Sequence, residues 1–76
     1  MEIGRLVHMA NQIADFFRAY PQEEAVAGIA GHFRQFWDPR MRRQILEHLD
    51  KGGGSGLDPL CLDALADLRA KKTQTP

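Results

Sequence analysis

Three prolines limit what this chain can build. Pro21, Pro39 and Pro59 cut its 76 residues into segments of 20 residues or fewer. Proline inside a helix removes a hydrogen bond and clashes with the preceding turn, at a cost of about 3 kcal/mol. No long helix can run through these points. Yet the segments between them repeat their apolar side chains at spacings of three and four, the period of an amphipathic helix. The chain is limited to a few short helices that bury their apolar faces on one another.

The first segment predicts a helix over 3–20. Ile3, Leu6, Met9, Ala10, Ile13, Phe16, Phe17 and Tyr20 fall in one arc of about 140°, the width of a core-facing stripe. Pro21 ends this helix, because proline disfavours the helical region for the residue before it. It also suits the first turn of a second helix over 22–37, where Glu23 and Glu24 sit well in the helix dipole. Val26, Ile29, Ala30, Phe33, Phe36 and Trp37 form its apolar stripe. Gly28 and Gly31 fall away from that stripe, each costing about 1 kcal/mol relative to alanine.

Asp38-Pro39 is a cap followed by a first-turn proline. It opens a third helix over 39–50, with Met41, Ile45 and Leu49 inward. A Gly-rich loop over 51–56 stops it, since glycine accepts the left-handed backbone needed past a helix end. Asp58-Pro59 repeats the device and opens a fourth helix over 59–70. Its apolar residues, from Leu60 to Leu68, span about 200°, too wide for a helix covered from one side. Self-association of the isolated chain through that face is therefore an expectation. Residues 71–76 read as a disordered polar tail. The predicted fold is all-α: a small bundle or irregular array of about four short helices in one domain, 1–70.

Composition then narrows the function classes. Ten basic and ten acidic residues cancel, whereas a nucleic-acid binder shows a basic excess. No run approaches the roughly 20 apolar residues of a membrane span. Met1-Glu2-Ile3-Gly4-Arg5 lacks the basic start and apolar run of a secretory leader. With one cysteine, Cys61, a cytoplasmic location is expected. A tetrahedral zinc site is not expected, because Cys61, His8, His32 and His48 lie far apart in sequence.

Little points to catalysis. Cys61 lies on the apolar side of its helix as a small core residue. Gly52-Gly53-Gly54-Ser55-Gly56 lacks both the strand and the Gly-Lys-Ser/Thr ending of a phosphate loop. Asp63 and Asp67 stand one helical turn apart and read as a solvated face. His48 points inward, and a structural hydrogen bond is expected there.

The densest segment is Phe33 to Arg43. It sets three aromatics and the arginines Arg34, Arg40, Arg42 and Arg43 around the Asp38 cap. Arginine binds carboxylates or phosphates in pairs, and tryptophan and arginine are enriched at binding hot spots. Trp37, Asp38 and these arginines are therefore candidate partner-binding residues. Arg42 falls inside the apolar arc, where a charge needs a partner: an acid within the fold or one on another chain. A second candidate strip runs along Val7, Asn11, Ala14 and Arg18, beside Ala27 and Gly31. It reads either as a surface for close approach of a partner or as tolerated surface variation.

The sequence resembles the delta subunit of cytoplasmic, NAD-dependent, molybdenum- or tungsten-containing formate dehydrogenases. The likeness is carried by Leu6 to Ala14, Phe16-Phe17, Ala25 to Phe33 and the segment Phe36-Trp37-Asp38-Pro39-Arg40-Met41-Arg42. Gly52-Gly53-Gly54 and Gly56-Leu57-Asp58-Pro59-Leu60 complete it. The resemblance implies a non-catalytic accessory subunit, needed for assembly, stability or cofactor loading of the active complex. Its partner would be the catalytic alpha subunit. The holoenzyme would hold bis-molybdopterin guanine dinucleotide, iron–sulfur clusters, FMN and NAD on other subunits, with no cofactor in this chain. The alternative is a chaperone that transiently grips the guanine dinucleotide cofactor for insertion.

Overall fold

Each of the three prolines stands at the entrance of a helix in the computed structural model, which describes residues 2–74 and the side chains of residues 2–70. Pro21 precedes α2 (Gln22–Phe36), Pro39 begins α3 (Pro39–Gly52) and Pro59 begins α4 (Pro59–Gln74); α1 (Ile3–Phe17) comes first. The described residues form no strand, so the all-α array of four helices expected from the periodicity is the fold. α2 packs most extensively on α4, while α1 lies against the other three helices.

The ends depart from the predicted ones for local reasons. α1 stops at Phe17 rather than Tyr20, because its last turn tightens: Arg18 N–H donates to Asp15 O and Tyr20 N–H to Phe17 O. α2 ends one residue earlier than predicted, with Trp37 already extended. α3 runs through Gly52, so the Gly-rich loop shrinks to a turn at 53–56. α4 continues through Gln74, since alanine, lysine and glutamine are good helix formers. Thr75 and Pro76, the end of the predicted tail, lie outside the described residues.

The core is built from small and branched side chains. Leu6, Ala10 and Ala14 come from α1, Ile29, Ala30 and Phe33 from α2, and Ile45 and Leu46 from α3. Cys61, Ala64, Leu65 and Leu68 come from α4. The wide apolar arc of α4 matches its contacts with α1, α2 and α3, with Leu60 and Leu62 partly buried.

On α1 the buried line is Leu6, Ala10 and Ala14, displaced by about 50° from the middle of the predicted stripe. The α1 stripe is therefore corrected at its edge: Phe16 is 70% and Tyr20 49% exposed, and on α2 Phe36 is also 70% exposed. The cause is close packing. Alanines let α1 and α4 approach, and Cys61 Sγ donates to Ala10 O at 3.2 Å. Gly28 also departs from expectation. A Cβ there would lie 2.4 Å from the Phe17 ring, so α2 uses this glycine as a seat for an aromatic of α1.

Gly54 is the tightest point of the turn. Its φ is +74°, and a Cβ would meet Leu62 at 2.4 Å and Leu49 at 3.2 Å. Gly54→Ala is expected to destabilise the chain by about 2 kcal/mol, from left-handed backbone strain alone. Urea unfolding followed by circular dichroism checks this. An unchanged midpoint would show that the turn has another conformation.

Candidate functional site

The polar residues singled out in the sequence largely hold the fold together. Asn11 bridges α1 to the entrance of α4: its Nδ2 donates to Gly56 O at 2.9 Å, and its Oδ1 accepts from Asp58 N–H at 2.9 Å. Arg18 pairs with Asp58 at 2.6 Å and with Asp15 at 2.8 Å. Val7 and Ala14 pack on the core. Asn11 and Arg18 thus tie α1 to the glycine turn and the start of α4, while the Arg18 side chain stays 53% exposed. Sequence reading missed this because the groups that Asn11 meets are backbone atoms, which no residue letter announces.

Arg42 is corrected in the same sense. Its Nη1 donates to the carbonyls of Phe33, Arg34 and Trp37, the open end of α2. A helix C-terminus carries a partial negative charge, so this cation is satisfied without an acid from either chain. Arg69 ties α4 to α3, donating to Leu46 O at 3.2 Å and pairing with Asp50. Asp38 caps α3 as predicted, its Oδ1 accepting from Met41 N–H at 2.9 Å. Trp37 is 4% exposed and packs edge-on to Phe33 at 4.6 Å, so most of its ring is committed to the core. His48 makes the expected structural contact, with Nε2 2.8 Å from Ser55 O.

Two titrating groups report on this scaffold. The hydrogen bond from Arg18, helped by Leu60 N–H, holds the Asp58 carboxyl below its usual value of 3.8. A carboxyl depressed in the folded state contributes stability above its unfolded pKa and loses it as pH falls through the folded value. Thermal stability is therefore expected to decline below about pH 4, and Asp58→Asn should weaken that acid limb. An identical acid limb in the variant would contradict the pairing. Burial, with a smaller contribution from Asp58, pushes the Cys61 thiol up to about 12. It is a packed, protonated thiol and not a nucleophile at neutral pH.

What the fold leaves open is a groove of about 510 Å³ between α1 and α2, lined by Met9, Gln12, Ile13, Phe16, Phe17, His32 and Trp37. Within the lining Phe16 meets Phe17 edge-on at 5.1 Å; Phe36, outside the lining, lies against His32 at 4.8 Å. A side chain of this class gains about 1.5–3 kcal/mol when fully buried, and Phe16 and Phe36 forgo most of that here. Arg40 and Arg43 follow Trp37 on α3, exposed and, among the described residues, without an ion pair. Arg34 is exposed too, but stands about 200° around α2 from His32, away from the groove.

Such a surface binds by packing. Among the described residues, no three His, Cys, Asp or Glu side chains gather as metal ligands, and no helix is long and apolar enough to cross a membrane. A family model described as "NADH-dependant formate dehydrogenase delta subunit FdsD" matches residues 5–65. The chain belongs to this family. No curated protein and no solved structure matches it. The matched span of this delta-subunit chain contains both helices of the groove, the arginine corner and the glycine turn, and stops within α4.

Proposed function

We propose that this chain is a non-catalytic accessory subunit of an NAD-dependent formate dehydrogenase, required for assembly or stability of the active complex in the cytoplasm. The observation that carries the reading is the pair of 70% exposed phenylalanines, Phe16 and Phe36, on a small domain of this family. A chain of this size has a thin core and gains from a partner surface. In this reading bis-molybdopterin guanine dinucleotide, iron–sulfur clusters, FMN and NAD belong to the other subunits, and the catalytic alpha subunit is the partner.

The test is recovery of the tagged chain from cells grown with formate and molybdate, followed by mass spectrometry. Recovery of a large molybdenum-containing subunit with its flavin and iron–sulfur partners is the expected result. Absence of any such subunit rejects the reading.

Arg34, Arg40 and Arg43, exposed and without an ion pair among the described residues, favour one second reading: a chaperone that grips the phosphates of the guanine dinucleotide cofactor during insertion. Titration of the isolated chain with a guanine dinucleotide separates the two. Docking alone predicts no binding.

A further inference from the structure

The α1–α2 groove allows a more specific statement about what sits in it, which rests on the accessory-subunit reading. From Met9 to Phe17 the α1 wall covers eight residue steps, or about 12 Å at the helical rise, close to two turns of a facing helix. The backbone of both walls is helical and bonds within itself. It offers no strand edge, so an extended segment would find no main-chain partners here. Recognition has to come from side chains laid between two helices, the arrangement in which a third helix packs ridge into groove. The opening is mainly apolar, with Met9, Ile13, Phe16 and Phe17 beside Gln12 on the α1 side and His32 on the α2 side.

One end is marked by charge. Trp37 lines the groove, and Arg40 follows three residues later, so their Cα atoms lie within roughly 11 Å of each other. Arg40 and Arg43 are exposed, with no ion pair among the described residues. A segment seated in the groove meets a cationic end, which carboxylates would complement.

We infer that the groove receives an amphipathic helix of another subunit of the complex. That helix carries apolar side chains at i, i+3 or i+4, and i+7, laid against Met9, Ile13, Phe16 and Phe17, with the exposed Phe36 beside His32 at the rim. It carries Asp or Glu toward the end that meets Arg40 and Arg43.

The test places a photoreactive benzoyl-phenylalanine at position 16, 36 or, as a control on α3, 47, in the chain assembled into its complex. Positions 16 and 36 are expected to cross-link to one peptide of another subunit that has this apolar spacing and acidic residues, while position 47 does not mark that peptide. Phe16→Glu combined with Phe36→Glu should lower retention in the complex roughly tenfold or more and leave the helical circular dichroism unchanged. Arg40→Glu with Arg43→Glu should also weaken retention and reduce its salt dependence.

If the chain co-purifies with the complex but its cross-links arise from position 47 and not from 16 and 36, the inference fails and the accessory role stands. A cross-linked peptide without the pattern, or one from a second copy of this chain, also overturns it. If the chain does not co-purify at all, both readings fail.

Discussion

Phe33→Ala is expected to remove most of the cooperative unfolding transition. Phe33 is the largest fully buried side chain, with 0% exposure. It lies where α2 meets the core residues of the other helices, edge-on to Trp37. Truncating a buried phenylalanine costs about 3–5 kcal/mol, through lost burial and the cavity left behind. A domain of this size has only about 4–11 kcal/mol in total. The urea midpoint should therefore fall by roughly half or more. Phe16→Ala is the matched control: its ring is 70% exposed, and it should shift the midpoint by about 0.5 kcal/mol or less. Equal effects of the two substitutions would contradict the placement of the α1 and α2 faces.

Arg42→Met should destabilise the isolated chain by about 3 kcal/mol, although it keeps the apolar stem. The loss is of the guanidinium that covers the carbonyls of Phe33, Arg34 and Trp37. Hydrogen bonds to a charged group contribute about 1.5–3 kcal/mol, and the half-buried acceptors left open add their own cost. Arg43→Met, one residue away and exposed, should leave stability nearly unchanged. The contrast matters for any docking experiment. Weak binding by an Arg42 variant reports a damaged fold, whereas weak binding by an Arg43 variant reports the surface. If both variants melt together with the unmodified chain, Arg42 is not the cap of α2.

The parts of this fold that are legible in the sequence are local. Pro21, Asp38-Pro39 and Asp58-Pro59 act on their own neighbours, so they mark the starts of α2, α3 and α4. Ends were read less well, because α3 could extend to Gly52 before Gly53 turns left-handed. Which face of α1 is buried depends on other helices. Nine apolar residues lie along it, counting Val7 and Ala14, more than its neighbours cover, and the choice fell to the alanine side. Phe16 and Phe36 thus read as core and stand outside.

Charges misled for a related reason. Arg42 and Asn11 spend their hydrogen bonds on backbone atoms, which are invisible as residue types. Arg18 looked like free surface because its partner, Asp58, lies 40 residues away in the chain. In the predicted corner Arg34, Arg40 and Arg43 stand exposed, with Asp38 capping the helix that carries Arg40 and Arg43.

The most direct test of the accessory role is production of the formate dehydrogenase subunits with and without this chain. Formate-dependent NAD reduction and the yield of intact complex are measured together on the same preparations. Without the chain, both are expected to fall severalfold, and to recover when it is supplied on a second plasmid. An equally abundant and equally active complex in its absence would contradict the account.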